Sequence, residues 1–244
     1  MKITDHFSPN SQPRTHTCDM LVIHYTDMKS AAEAQSRLCD PVARVSAHYL
    51  IAKTGEVIRL VPEDHAAYHA GVSFWRGRSS LNQYSIGIEL DNLGHSHGPE
   101  AFSEPQIQSL LGLIDIIRQK HDIPDYNIVG HSDIAPHRKK DPGELFPWSR
   151  LAAEGHGIWP PQLDKLAIQD EMSFFPSGRD YLIASQALAN IGYKVESTNH
   201  LTEELENVIL AFQRHFVPFN ITGELDAETW KALEIVRELF QDSL

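Results

Sequence analysis

Three side chains that could bind a metal ion lie on two short segments of this sequence. His131 and Asp141 belong to the loop-rich stretch GHSDIAPHRKKDPG, which follows a short apolar run at 126–129. His24 ends the run MLVIH, whose apolar residues predict a buried strand that would hold the imidazole rigidly. Imidazole and carboxylate groups are ligands of zinc, and a catalytic zinc needs only three protein ligands because its fourth position takes water or substrate. We therefore expect these three residues to form a zinc site.

Several stretches of the chain, read in order, resemble one enzyme family. His24 is followed by SAHYLI with His48, YHAG with His69, LNQYSIGIEL with Glu89, and then the GHSDIAPHRKKDPG stretch. Together they resemble the type 2 zinc-dependent N-acetylmuramoyl-L-alanine amidases, whose fold is shared with the peptidoglycan-recognition proteins. The resemblance covers about residues 15–155.

The resemblance implies a fold, a reaction and a set of site residues. The expected fold is α/β, with a mixed β-sheet flanked by helices. The expected reaction is hydrolysis of the amide between N-acetylmuramic acid and L-alanine in peptidoglycan or muropeptides, with Zn²⁺ as cofactor. The zinc ligands of the family match His24, His131 and Asp141, and its catalytic positions match Glu89 and Lys139.

Glu89 and Lys139 have suitable chemistry to assist such a hydrolysis. Glu89 stands between Ile88 and Leu90 in an apolar strand pattern, where a carboxylate is unusual unless it is paired or functional. It could take a proton from the attacking water and pass it to the leaving nitrogen, while the ammonium of Lys139 stabilises the developing oxyanion. The ordinary alternatives are a solvated strand face for Glu89 and a solvated basic cluster at 138–140 for Lys139.

Three further polar residues are candidates for supporting roles around this site. His69 is expected to line the substrate cleft. Asn82 is expected to orient the substrate, although an ordinary turn would suit it equally. His48 is expected to be packed in the interior or to support a neighbouring ligand.

A second metal pattern overlaps the first. His131, Ser132 and Asp133 also form the HxD element of iron oxygenases, for which His200 or His215 could be the distal ligand. We reject this interpretation, because both distal histidines fall in a predicted helical region and the chain lacks the pattern of a β-sandwich. Asp133 is expected instead to make a local turn hydrogen bond and to affect the metal little.

The elements predicted around these residues form a mixed α/β scaffold. Strand patterns at 48–51 and 57–61 flank a turn that contains Gly55, which is typical of a hairpin. A further strand is predicted at 84–90. A capping box is predicted to begin at Ser103, and the helical apolar repeat that follows it would cover one face of the sheet.

The carboxy-terminal third of the chain predicts a separate helical unit. Glycines and prolines interrupt residues 148–176, which we interpret as a domain junction, and three amphipathic helical patterns follow. The stretches ALANIGY, ILAFQRHF and ITGELDAETWKAL resemble the small peptidoglycan-binding domain of wall hydrolases. The predicted catalytic domain, with its N-terminal extension, is 1–158, the linker is 159–176 and the helical peptidoglycan-binding domain is 177–244. We expect the first of these to fold and to cleave soluble muropeptides alone.

Composition and charge narrow the class of protein. The chain has 244 residues, 41% of them hydrophobic, and no apolar run approaches the roughly 20 residues that span a bilayer. Its net charge of −12 disfavours nucleic-acid binding, which depends on clustered Lys and Arg. The amino terminus has no apolar signal segment, so two compartments stay open: the cell envelope or periplasm if a signal was removed, and the cytoplasm otherwise. A disulfide between Cys18 and Cys39 is one option, and two free thiols are the other.

Two alternative functions share the expected fold. One is a non-catalytic muropeptide receptor, because recognition relatives of the family lose a metal ligand; the presence of all three ligands favours an enzyme. The other is a recycling amidase that acts on soluble anhydro-muropeptides in the cytoplasm. The missing signal supports that alternative, whereas the added helical domain opposes it. The sequence does not indicate an oligomeric state.

Overall fold

A six-stranded mixed sheet forms the centre of the amino-terminal part of the chain in the computed structural model, which describes residues 1–168 and 174–241. The strands are β1 (Ile3–Asp5), β2 (Ser11–Pro13), β3 (Met20–Tyr25), β4 (Tyr49–Ile51), β5 (Val57–Arg59), β6 (His65–Ala67), β7 (Phe74–Trp75), β8 (Arg78–Ser79), β9 (Ser85–Leu90) and β10 (Ile128–Gly130). The helices are α1 (Ala31–Cys39), α2 (Gly94–His97), α3 (Glu104–Arg118), α4 (His131–Ile134), α5 (Trp148–Ala153), α6 (Gly178–Ile191), α7 (Glu203–Phe216) and α8 (Ala227–Gln241). The expected α/β class is confirmed.

The main sheet has the strand order β1-β5-β4-β9-β3-β10. Its neighbouring strands run parallel except β4 and β5, which form the antiparallel hairpin that the sequence predicts. The turn of this hairpin needs a glycine, because Gly55 has φ +85° and an added Cβ would lie 2.8 Å from the carbonyl oxygen of Pro105. Two small antiparallel pairs, β2 with β6 and β7 with β8, lie outside the main sheet.

The central strands β3 and β9 separate an apolar face of the sheet from a face that carries polar groups. Side chains alternate along a strand, so Leu21 and Ile23 of β3 point to one face together with the isoleucines of β9. That face packs against α3. The other face carries His24 of β3 and Glu89 of β9, which are directly opposite one another in the register. One strand pair therefore supplies both a core and the floor of a polar site.

Helix α3 begins as the sequence predicts, although its capping box is incomplete. The hydroxyl of Ser103 accepts a hydrogen bond from the backbone N–H of Gln106 at 3.3 Å. The side chain of Gln106 does not return this bond, because its amide donates instead to the carbonyl oxygens of Ile51 and Asp91 at 2.9 and 3.1 Å. The capping box also predicts a return hydrogen bond from the Gln106 side chain to the backbone of Ser103, and this part of the prediction is wrong. The Gln106 side chain instead joins α3 to the sheet.

The three carboxy-terminal helices form a small helical domain that packs on the site face of the sheet. Met20 and Val22 of β3 belong to the same buried cluster as residues of α6, α7 and α8. The chain between α5 and α6 is also more regular than the prediction of a linker suggests, because residues 161–168 form a 3₁₀ helix. Residues 169–173 of the predicted linker lie outside the described residues.

Two further sequence-based questions are answered by the fold. Both cysteines are free thiols, with Cys18 buried and Cys39 partly exposed. Burial raises the pKa of the Cys18 thiol to about 11, which makes it unreactive at neutral pH. Within the described ranges, no helix is both long enough and apolar enough to cross a membrane.

Candidate active site

Two of the candidate metal ligands, His24 and His131, lie beside Glu89 because three parallel strands end at the same edge of the sheet. In the register of β3 with β9, His24 stands opposite Glu89. In the register of β10 with β3, Gly130 stands opposite Ile23, so His131 emerges immediately beyond the end of β10. Parallel strands place their carboxyl ends together, and this puts all three side chains beside one another.

Asp141 completes a tight cluster with the two histidines. The Nδ1 atoms of His24 and His131 lie 2.9 Å apart, and each lies 3.0 Å from Oδ2 of Asp141. All three side chains are buried, with residue exposures of 1%, 3% and 5% respectively. Among the described residues, this is the group of His, Cys, Asp and Glu side chains whose geometry could hold a metal ion.

A chain of hydrogen bonds determines which nitrogen of the His24 ring carries the proton. Ser85 donates its hydroxyl proton to the carbonyl oxygen of Leu81 at 2.7 Å, so its oxygen can only accept from Nε2 of His69 at 3.2 Å. Nδ1 of His69 is then unprotonated and accepts from Nε2 of His24 at 3.0 Å. Consequently His24 presents the lone pair of Nδ1 to the cluster.

The cluster therefore has the electrostatic character of a cation site. A lone pair of His24 faces the carboxylate of Asp141 at hydrogen-bond distance, and two such groups repel one another unless a positive centre lies between them. Burial, and then the neighbouring His131, lowers the pKa of His24 to about 4, so the ring is neutral at pH 7. Burial alone would raise the pKa of Asp141, but the charge and hydrogen bond of His131 hold it well below its ordinary value. Neutral imidazole and ionised carboxylate are the forms that bind metals.

Glu89 lies at the edge of the cluster with an unusual carboxyl group. Its Oε2 atom is buried and has no hydrogen-bond partner. Burial, and then the nearby charge of Asp141, raises the pKa of Glu89 well above its ordinary value, while Lys139 acts in the opposite direction. A buried carboxyl group whose pKa is raised well above its ordinary value has the character of a general acid or base.

A cavity of about 510 Å³ opens directly onto these groups. Glu89, Lys139 and Asp141 all line it, as His69 also does. Asn82 does not line this cavity; its side-chain oxygen accepts hydrogen bonds from the backbone N–H groups of His69 and Ala70, at 3.1 and 2.7 Å. Asn82 therefore holds the loop that carries His69.

His48 takes a structural place behind the site, as the sequence analysis expects. It is fully buried, and its Nδ1 accepts from the backbone N–H of Gly87 at 3.0 Å while Nε2 donates to the carbonyl of His65. Burial lowers the pKa of His48 to about 3, which keeps the ring neutral. Gly87 matters for a second reason, because an added Cβ there would lie 2.4 Å from the ring of His69.

Sequence reasoning missed a second wall of the cavity. The hydroxyl of Tyr25 lies 2.6 Å from Nδ1 of His95, whose Nε2 lies 3.1 Å from Oε2 of Glu144. Tyr25 and His95 both line the cavity. The position of Tyr25, next to His24 at a strand end, was a signal available in the sequence; the partnership with His95 was not.

The rejected iron site is absent from the described part of the chain. Asp133 is not a member of the candidate metal cluster, and its Oδ2 accepts from the backbone N–H of Gly130 at 2.7 Å. The predicted local turn hydrogen bond is thereby confirmed. His215 does reach Asp133, but as a hydrogen-bond partner at 2.8 Å.

The sheet edge, the buried cluster and the adjoining cavity define the molecule as a hydrolase-like protein with a candidate metal centre. The sequence model of the N-acetylmuramoyl-L-alanine amidase family matches residues 14–144, and that of a peptidoglycan binding domain matches residues 177–233. The first match covers more than half of the chain.

Individual relatives agree with these matches. The chain is 41% identical over 241 residues to N-acetylmuramoyl-L-alanine amidase AmiD of Escherichia coli K12, covering 91% of this chain and 83% of that protein. A solved complex of the E. coli AmiD with anhydro-N-acetylmuramic acid-L-Ala-D-γ-Glu-L-Lys has a TM-score of 0.79 at 38% identity, covering 93% of this chain and 92% of that one. AmpDh3 of Pseudomonas aeruginosa in complex with an anhydromuramic pentapeptide gives 0.76 at 34% identity, with 96% and 98% covered.

The chain belongs to the N-acetylmuramoyl-L-alanine amidase family. It is accordingly a hydrolase that cleaves the amide between N-acetylmuramic acid and L-alanine.

Proposed function

We propose that His24, His131 and Asp141 hold a zinc ion at the carboxyl edge of the sheet. The observation that carries this proposal is the buried meeting of two imidazoles and one carboxylate, in which the lone pair of His24 faces an anion. Two nitrogens and one oxygen are a donor set typical of catalytic zinc, which keeps one position for water or substrate. When bound, zinc activates water near neutral pH and polarises a carbonyl oxygen.

Glu89 and Lys139 then divide the remaining chemistry between them. Glu89 takes a proton from the attacking water and delivers it to the leaving nitrogen, for which its raised pKa is suited. Lys139 lines the same cavity, and its ammonium stabilises the oxyanion as it develops. His69 holds the ring of His24 in position through a hydrogen bond. His69 also lines the cavity, where it can contact the substrate.

The substrate in this proposal is the lactyl-alanine amide of a muropeptide or of peptidoglycan. The E. coli and P. aeruginosa relatives were solved with anhydro-muropeptides, and a cavity of about 510 Å³ has room for the atoms around the scissile amide. Residues 1–158 form the catalytic part. Residues 177–244 hold the polymer, which raises the local substrate concentration without changing the chemical step.

Mass spectrometry of the products from purified sacculi and from soluble muropeptides tests this function. We expect stem peptides that begin with a free L-alanine amine, together with sugars that keep the lactyl carboxylate. Products cut at a peptide bond or at a glycosidic bond would contradict the proposal. Comparison of muropeptides with and without the anhydro ring shows which sugar is preferred.

Replacement of Lys139 with alanine is expected to lower kcat by more than it raises KM. The reason is that its charge is used mainly when the oxyanion develops, and an interaction made only in the transition state appears in kcat. Zinc content should stay at the wild-type value. Steady-state kinetics on a soluble muropeptide check this, with the exposed Lys165→Ala as the matched control. A Lys139→Ala enzyme with unchanged kcat would assign this lysine to the solvated basic cluster.

A further inference from the structure

Asp133 is a buried carboxylate that receives hydrogen bonds from both parts of the molecule. It is 1% exposed. Its Oδ1 accepts from the hydroxyl of Tyr193 at 2.7 Å, and its Oδ2 accepts from Nδ1 of His215 at 2.8 Å and from the backbone N–H of Gly130. Two of the three donors therefore belong to the helical domain.

Both of these donors are held firmly by aromatic contacts. The ring of Tyr193, just after α6, makes an edge-to-face contact with Trp75 at 5.1 Å between ring centroids. The imidazole of His215, in α7, stacks on Trp148 at 3.9 Å and on Phe216 at 4.0 Å. These contacts restrict the movement of both donors.

Asp133 in turn fixes the turn that carries a candidate metal ligand. It lies on the same short helix, α4, as His131, and its carboxylate closes that helix onto the N–H of Gly130. A buried carboxylate that loses hydrogen-bond partners is strongly destabilised, so the turn would shift to expose it or to find new donors. Such a shift moves His131 relative to His24 and Asp141.

We propose that Tyr193 and His215 are positioning residues of the metal centre, so that the helical domain sets how tightly the catalytic domain holds zinc. The proposal rests on the zinc site put forward above. It assigns to the helical domain a role beyond holding the polymer, because two of its side chains fix the turn that bears His131.

This coupling changes two expectations drawn from the sequence. Asp133 was expected to affect the metal little, because only a local turn bond was foreseen for it. Residues 1–158 were expected to cleave soluble muropeptides alone, yet that fragment lacks both Tyr193 and His215. We now expect loss of either donor to weaken zinc binding.

Zinc affinity, measured by competition with a chromogenic chelator on the full-length protein, tests the proposal. Tyr193→Phe keeps the ring against Trp75 and removes only the hydroxyl. His215→Phe keeps the stacking and removes the donor, whereas His215→Asn keeps a donor and removes the stacking. The double variant Tyr193→Phe/His215→Phe is expected to bind zinc about tenfold or more weakly, the scale seen when groups that orient metal ligands are lost. His215→Asn should bind more tightly than His215→Phe.

A matched control separates positioning from general destabilisation. Gln213 and Thr229 form a buried hydrogen bond of 2.8 Å inside the helical domain. Thr229→Val should lower the melting temperature of the helical domain but leave zinc affinity unchanged. If it weakens zinc as much as the double variant does, the positioning role is overturned.

Reciprocity supplies a second measurement that does not depend on activity. If the helical domain strengthens zinc binding, zinc must stabilise the docked helices by the same factor. Hydrogen exchange of the α7 backbone amides should therefore slow when zinc is added to the wild type, and should slow less in the double variant.

The possible failures point to different causes. Wild-type zinc affinity in the double variant, together with its loss in Asp141→Ala, would overturn the positioning role and leave the proposed function standing. Absence of zinc binding in the wild type, or its survival in Asp141→Ala, would overturn the proposed metal centre and this inference together.

Discussion

Replacing Asp141 with alanine is expected to remove zinc from the protein and amidase activity with it. Asp141 supplies the anion of the cluster, and its Oδ2 lies 3.0 Å from the Nδ1 atoms of both histidines. Loss of a group that only orients a ligand costs about 10- to 100-fold in metal affinity, so loss of the ligand itself should cost at least about 100-fold. Metal analysis after gel filtration and a muropeptide cleavage assay check both effects.

The exposed Asp122→Ala is the matched control for this substitution and should keep zinc and activity. Chelation of the wild type should abolish hydrolysis, and added Zn²⁺ should restore it. The Asp141→Ala protein should not recover under the same treatment. Full hydrolysis by demonstrably metal-free wild type would rule out the proposed mechanism.

Glu89→Gln is expected to lose activity without losing zinc. The amide is almost the same size as the carboxyl group but cannot relay a proton, and general acid–base assistance contributes about 10²- to 10⁴-fold in rate. We therefore expect kcat to fall by about that factor while the metal content stays at the wild-type value. Single-turnover kinetics on a soluble muropeptide, with the exposed Glu234→Gln as control, measure the loss. Wild-type kcat in this variant would make Glu89 structural.

The same variant should change the pH dependence of stability in the metal-free protein. Burial raises the pKa of Glu89 in the folded state, so the folded protein binds this proton more tightly than the unfolded chain, whose glutamate pKa is about 4.3. Its contribution to stability is full below the unfolded value and is lost as the pH rises through the folded value. Metal-free Glu89→Gln is therefore expected to be more stable than metal-free wild type at pH 7.

Thermal melts of the two metal-free proteins across the acid range check this second effect. The advantage of the glutamine variant should shrink as the pH falls below about 4, where the unfolded-state carboxyl is itself protonated. An equal melting temperature at neutral pH would show that Glu89 is ordinarily solvated. The kcat and the melting temperature of Glu89→Gln together distinguish a buried catalytic carboxyl group from a carboxyl group on a solvent-exposed strand face.

Much of the fold and of the candidate site could be predicted from the sequence, for a local physical reason. Alternation of apolar residues along β3 and β9 fixes which side chains point to the α3 face, and this leaves His24 and Glu89 on the opposite face. The three carboxy-terminal helices follow from their apolar repeats in the same way. Residue type limited the candidate ligands, because imidazole and carboxylate groups are the donors that zinc accepts.

Only the tertiary structure decided how the site residues are held. The sequence could not show that His69 orients His24, that Asn82 fastens the loop of His69, or that Tyr193 and His215 bind Asp133. These partners are far apart along the chain, and a hydrogen bond depends on distances and directions that are set when sheet, loops and helices pack together. Alternation and residue type determine which face a side chain occupies. Packing determines which atom of a distant residue it meets. Those contacts fix the tautomer of His24 and join the helical domain to the turn that carries His131.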